Sequence, residues 1–294
     1  MSPVQRFDLL DPAEVARLGG IEIVAQGVVE GFLSGLHRSP FRGFSVEFTE
    51  HRAYQPGDEP RYLDWRMLAR SDRLFVKQFE EETNLRAMIL LDASRSMAWR
   101  GAVGRLSKRE YAQRLAAAVA LILLRQRDAT GLITFDDAVR EIIPPRVKTG
   151  QWRRLVNGIV AAPDGRGTAA EPALRQVTSL LVRRGLVVLL SDLLLEREPA
   201  LTALRFLRHR GHQVVVIHLF DPSERELGGP PEVRFVDPES AAGLVVRPRE
   251  LARAYRETVR REISAWRTAC RRHGIAYHDV TTDQPFGLAL RRLA

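Results

Sequence analysis

Leu90-Leu91-Asp92-Ala93-Ser94-Arg95-Ser96-Met97 carries the densest chemical signal in the sequence: an apolar run that ends in Asp-x-Ser-x-Ser. A second apolar run, Leu186 to Leu190, ends in Ser191-Asp192. Between them Gly165-Arg166-Gly167-Thr168 places a hydroxyl after a flexible turn and just ahead of a helical pattern. The five candidate ligands Asp92, Ser94, Ser96, Thr168 and Asp192 all offer oxygen. Oxygen donors suit a hard divalent cation, Mg²⁺ first and Mn²⁺ as the alternative. Ser94 and Ser96 can ligate directly, and Thr168 directly or through water. Asp92 and Asp192 are expected to act through waters and by holding the hydroxyls. An ion held mainly by neutral oxygens keeps most of its charge, so an open position would favour a carboxylate from a partner.

These residues can converge only if the two apolar runs are neighbouring strands. From Arg86 onward the pattern alternates regularly: short apolar strands at Arg86–Leu91, Ala129–Thr134, Leu186–Leu190, Val214–Leu219 and Ile275–His278, with helical patterns between them. Continuous apolar strands alternating with helices predict a mostly parallel sheet of about six strands covered on both faces. In such a sheet, ligands bind beyond the carboxyl ends of the strands where the strand order reverses. Residues 1–84 have another texture and are expected to form a separate N-terminal region, with 85–294 as the α/β domain. Asp11-Pro12 opens a helix. Ile21, Val24, Val28 and Phe32 give an apolar helical face, and the segments 41–54 and 74–79 read as the strands of a hairpin.

The sequence resembles a known family at this point. Asp92, Ser94 and Ser96, with Thr168 and Asp192, look like the metal-ion-dependent adhesion site of von Willebrand factor type A domains. The segments Phe41-Arg42-Gly43, Glu47-Phe48, His51-Arg52-x-Tyr54-x-Pro56-Gly57-Asp58-Glu59, Arg61-x-x-Asp64-Trp65, Ala69-Arg70 and Lys77-x-Phe79-Glu80 resemble a bacterial family, domain of unknown function 58. It fuses that signature to a type A-like domain. The likeness runs from about Glu22 to Leu293. It implies a Rossmann-like three-layer α/β fold with an N-terminal helix-plus-hairpin region. It also implies a non-enzymatic, Mg²⁺-dependent protein-binding adaptor. The expected partner is a MoxR-type AAA+ ATPase, an acidic client protein, or both, in the assembly or maturation of a complex. The alternative is a metal-dependent, phosphatase-like hydrolase using the same ion.

Composition narrows the choice. In 294 residues there is one Cys, Cys270, which excludes a disulfide framework or a Cys-rich zinc site. The longest apolar run, Leu115 to Leu124, is ten residues, about half a membrane span, and the start shows no secretory pattern, so the expected location is the cytoplasm. The net charge is +9, with only three Lys among 45 basic residues. Residues 1–84 hold 10 basic and 14 acidic side chains, against 35 and 22 beyond. The basic excess is spread along helices rather than blocked, so an acidic protein, not nucleic acid, is the expected partner. The seven His are scattered without metal spacing. No nucleophile elbow or phosphate-binding Gly-Lys loop occurs. Asp136-Asp137 reads as a strand-end turn, and the charged run from Asp58 to Arg70 as a salt-bridged clasp.

Overall fold

The computed structural model describes residues 9–17, 19–34, 47–55, 63–71, 73–80, 85–162, 165, 171–236 and 243–292. Its contacts divide the chain into two compact units, residues 42–85 and residues 1–41 with 86–294.

In the smaller unit, β1 (Glu47–Ala53) pairs antiparallel with β2 (Phe75–Glu80). The connection carries α3 (Trp65–Ser71). Asp64 caps this helix: its Oδ1 accepts the Met67 N–H at 3.1 Å. Asp64 is thereby occupied locally, while Asp58, Glu59 and Arg61 of the expected clasp lie outside the described residues.

The larger unit contains a six-stranded sheet: β3 (Arg86–Asp92), β4 (Ala129–Phe135), β5 (Val139–Arg146), β6 (Leu186–Ser191), β7 (Gln213–Phe220) and β10 (Ala276–Thr281). Its spatial order is β10-β7-β6-β3-β4-β5, parallel throughout except for β5. Counted along the chain from the antiparallel edge, the order reads 3-2-1-4-5-6, the doubly wound arrangement. Strand β5 continues through Pro144 and Pro145, which an edge strand tolerates because one side needs no ladder donors.

Strand residues alternate between two helical layers. Met88 and Leu90 of β3 join Val187 and Leu189 of β6 in a core shared with Leu174, Val177, Leu204, Trp266 and Cys270. Those residues belong to α6 (Glu171–Leu180), α7 (Arg197–His209) and α9 (Pro248–Arg272). The opposite face packs on α4 (Lys108–Arg125) and α5 (Gln151–Ala161). The short α10 (Phe286–Arg291) closes this layer.

The expected boundary at residue 84 is corrected in one respect. Helices α1 (Pro12–Arg17) and α2 (Ile21–Ser34) belong with the α/β unit. The cause is the apolar face of α2: Val24, Ala25, Val28, Val29 and Phe32 are buried, and α2 packs on α4 and α10. After β7 come two elements that stand outside the strand–helix alternation. One is the single turn α8 (Pro222–Arg225). The other is a hairpin of β8 (Val233–Val236) with β9 (Gly243–Val246), separate from the main sheet.

Candidate metal centre

Strands β3 and β6 are direct parallel neighbours, with Leu90 opposite Leu189 and Leu91 opposite Leu190. They are the first and fourth strands of the sheet, so the crevice beyond their carboxyl ends lies where the winding reverses. Asp92 ends β3 and Ser191-Asp192 ends β6, and all three are buried.

The chain leaves β3 into the 3₁₀ turn Arg95–Ala98. Met97 is fully buried and anchors this turn. Ser94 is buried and Ser96 half-buried. Their Oγ atoms stand 3.1 Å apart. Two neighbouring ligands of an octahedral ion with ~2.1 Å bonds lie about 3.0 Å apart, so the hydroxyl spacing fits Mg²⁺ or an ion of its size.

Asp92 aims inward. Its Oδ1 accepts the Ser94 N–H at 2.8 Å, and its Oδ2 accepts the Ser191 hydroxyl at 2.5 Å. Ser191 Oγ in turn accepts the Leu193 N–H at 3.0 Å. Burial, reinforced by the negative charge of Asp192, pushes the Asp92 carboxyl up to about 6. Asp92 and Asp192 thus repel one another in a place that water hardly reaches, the electrostatic setting that a bound cation relieves. Among the described residues no group of three or more His, Cys, Asp or Glu is placed to hold a metal ion.

Thr168 lies outside the described residues. Its neighbour Gly165 is placed, and the Gly165 N–H donates to Ala93 O at 3.0 Å. A Cβ on Gly165 would sit 2.3 Å from that oxygen and 2.8 Å from Ser94 Cα. Only glycine lets the backbone cross β3's exit this closely. Arg109 holds the same Ala93 oxygen at 3.0 Å.

Sequence reasoning passed over Lys108. It is the first residue of α4, where the helix dipole disfavours a cation, and its side chain is only 1% exposed. Its ammonium donates to Asp192 Oδ2 at 2.8 Å and to Glu224 Oε1 at 2.5 Å. Burial pulls its pKa down, but the two carboxylates outweigh that and hold it above the usual lysine value. The remaining Asp192 oxygen accepts the Leu194 N–H at 3.3 Å. A signal for Lys108 was available: one of only three lysines in an arginine-rich chain sits where a compact ammonium fits between two carboxylates.

His218 is the other residue missed. Burial drops its pKa to about 4, so the ring is neutral near pH 7. Its Nε2 lies 2.8 Å from the Asp192 carbonyl, which can only accept, so Nε2 carries the proton. Nδ1 then accepts the Tyr277 hydroxyl at 2.7 Å. Asp136 and Asp137 form the expected strand-end turn, with Arg140 paired to both, Asp136 at 2.5 Å.

A family described as "Protein of unknown function DUF58" matches residues 50–268. The chain belongs to the DUF58 family. An uncharacterized protein of Mycobacterium bovis, Mb1516, is 30% identical over 270 residues, covering 89% of this chain and 81% of the relative. The Mycobacterium tuberculosis protein Rv1480 matches to the same extent. Among solved structures, an aerotolerance-related membrane protein from Bacteroides fragilis is 18% identical, with 71% of this chain and 96% of that one covered and a TM-score of 0.49. The VWA domain of SpRpn10 is 12% identical, with 70% and 93% covered and a TM-score of 0.40. The assignment of this DUF58 chain to a doubly wound, Rossmann-like α/β fold rests on its own strand order. Among the described residues no helix is long and apolar enough to cross a membrane.

Proposed function

We propose that this DUF58 protein is a non-enzymatic adaptor that grips an acidic partner residue through Mg²⁺ held at Ser94 and Ser96. Thr168 would complete the protein's share, with Asp92 and Asp192 standing behind it. The observation that carries the reading is the hydroxyl pair at 3.1 Å beside two buried carboxylates at the sheet's switch point. The ion supplies an electron-poor position open to a carboxylate. The chain's own residues do the rest. Asp92 fixes the Ser94 backbone and Ser191, Lys108 fixes Asp192, and the Gly165 N–H bonds the Ala93 carbonyl at the exit of β3.

The hydrolase alternative has less support. Both carboxylates nearest the hydroxyls are committed to internal donors, which leaves no base poised to activate water. The partner we favour is a MoxR-type AAA+ ATPase or its acidic client, on the strength of the family resemblance and the basic excess beyond residue 84. The test is co-purification of this chain with the host's MoxR-type ATPase in Mg²⁺, in chelator, and with Ser96→Ala. A complex lost under both perturbations supports the reading. A complex indifferent to both overturns it, as does Mg²⁺-dependent phosphatase turnover that S96A abolishes.

A further inference from the structure

Helix α9 carries eight Arg and three Glu in its 25 residues. Six of the arginines, Arg249, Arg253, Arg256, Arg260, Arg267 and Arg271, follow one another at steps of four, three, four, seven and four. At about 100° per residue they fall within an arc of about 60°, and the row they form runs about 33 Å along the helix. All six are exposed, Arg253 with 93% of its side chain. Only Ser264 interrupts the row, within the step of seven. The row lies on one flank of α9: Arg267 reaches Asp279 of β10 at 2.6 Å, and Arg256 reaches Glu226, just past α8, at 3.9 Å. The buried Ile263, Trp266 and Cys270 occupy the adjoining face, and Glu262 turns the other way, to Arg197 of α7.

The row works against its own helix. Arg249 and Arg253, Arg256 and Arg260, and Arg267 and Arg271 stand four apart, the spacing at which like charges repel. The fold offsets little of this. Glu257 pairs with Arg253 at 3.1 Å, and Asp279 is shared between Arg267 and Arg225. Glu250 goes to Arg247 at 3.5 Å and Glu262 to Arg197 at 2.8 Å. Among the described residues no carboxylate lies within ion-pair distance of Arg249, Arg260 or Arg271. Local consistency broken along a whole helix face, without compensation inside the fold, marks a face used from outside.

Charge makes the occupant anionic, and shape makes it a helix. Each guanidinium presents a planar fork that takes a carboxylate through two parallel N–H···O bonds. No apolar or aromatic residue stands in the row, so it offers neither a face to sink into a bilayer nor a ring for a base to stack on. The strands of a nucleic-acid duplex wind once in about 34 Å, so a straight row of that length crosses the phosphates instead of following them. A second α-helix alongside does follow it, because carboxylates at i, i+4, i+7 and i+11 repeat with the same rise and turn as the arginines. We propose that the arginine row of α9 docks an acidic α-helix of a partner protein, whose Asp or Glu side chains recur at that spacing along one face. The contact goes beyond the metal-adaptor reading: it uses no ion and no part of the serine loop.

The probe is a synthetic Ala-based helix of the length of α9, held helical by side-chain staples, with six Glu on one face at the spacing of the arginines. A control peptide scatters the same six Glu around the helix. Both are fluorescently labelled and titrated by anisotropy with the full chain, in chelator and at physiological ionic strength. The one-faced peptide should bind at least tenfold tighter than the scattered one, a comparison that needs no variant. R249E/R260E/R271E should weaken the one-faced peptide at least tenfold; these arginines hold no ion pair in the fold, and circular dichroism checks that it persists. Arg260→Glu alone, in the middle of the row, is the second variant and should weaken it in the same direction. R146E/R153E/R154E makes the same charge change at exposed positions of β5 and α5, by the opposite edge of the sheet, and should cost far less. Equal binding of the two peptides, no binding of either, or equal losses in the two triple variants overturns the proposal. Tighter binding of duplex DNA or phosphatidylserine vesicles that R249E/R260E/R271E abolishes overturns it too, and assigns the face to phosphate. Each of these failures leaves the metal reading standing, since the titrations hold no Mg²⁺.

Discussion

Replacing Lys108 with Met keeps the length of the side chain and removes its charge. Asp192, almost fully buried, then faces Glu224 with no cation between them. Removing one partner of a buried pair costs about 3–5 kcal/mol, because the survivor stays desolvated and unpaired. Glu224 adds little to that figure, since its side chain is 23% exposed and solvent screens it. The expected loss for K108M is therefore about 3–5 kcal/mol, a large share of the stability of an ordinary domain. The assay is urea unfolding in chelator, with K108M, D192N and the double variant measured together. D192N neutralises the carboxylate that K108M strands, so the double variant should recover part of the K108M loss, about 1–3 kcal/mol of coupling. A K108M loss under about 1 kcal/mol, or strict additivity in the cycle, would refute the ammonium's role as the buried counter-charge of Asp192.

Two buried groups should give opposite pH signatures, and one substitution separates them. The folded-state pKa of His218, about 4, lies below its ordinary 6.5, so its contribution is complete above pH 6.5 and is lost as pH falls toward 4. Asp92, raised from 3.8 to about 6, does the reverse and favours the fold as pH falls through the same window. His218→Asn should therefore gain roughly 3 kcal/mol relative to the parent between pH 7 and pH 4. A pH-independent difference in unfolding free energy would show that the imidazole is not held neutral. Gly165→Ala should weaken Mg²⁺ binding at least tenfold while circular dichroism stays unchanged, because its Cβ would meet Ala93 O at 2.3 Å and Ser94 Cα at 2.8 Å and displace the serine-bearing exit of β3. Unchanged calorimetric affinity in G165A would detach the Gly165 crossing from the site.

The sheet was legible because its strands are buried on both faces. Runs such as Met88–Leu91 and Leu186–Leu190 have no polar alternation, and only a doubly covered parallel sheet accommodates them. The convergence of Asp92 with Asp192 followed from that one deduction, since each ends such a run. The hairpin β8–β9 was half-legible: the sequence reads Glu232–Val236 as a small edge element, but its partner strand Gly243–Val246 is four residues long and, among the described residues, pairs only with β8. The grouping of α2 with the α/β unit was hidden for another reason. Its apolar face was plain at Val24, Val28 and Phe32, but amphipathicity does not say which surface will cover it. Lys108 escaped because its partners are 84 and 116 residues away along the chain. A lysine at a helix start reads as exposed until both carboxylates are in place around it.

Ser94 and Ser96 are proposed to hold a divalent cation in this DUF58 protein. Calorimetric titration of Mg²⁺ into the metal-stripped wild type and into Ser96→Ala tests it most directly, since Ser96 is only half-buried and its hydroxyl is not needed for packing. The expected result is one saturable Mg²⁺ site in the wild type, Mn²⁺ competing for it, and at least a tenfold loss of affinity in S96A. Equal Mg²⁺ binding by the two proteins, or none by either, would contradict it.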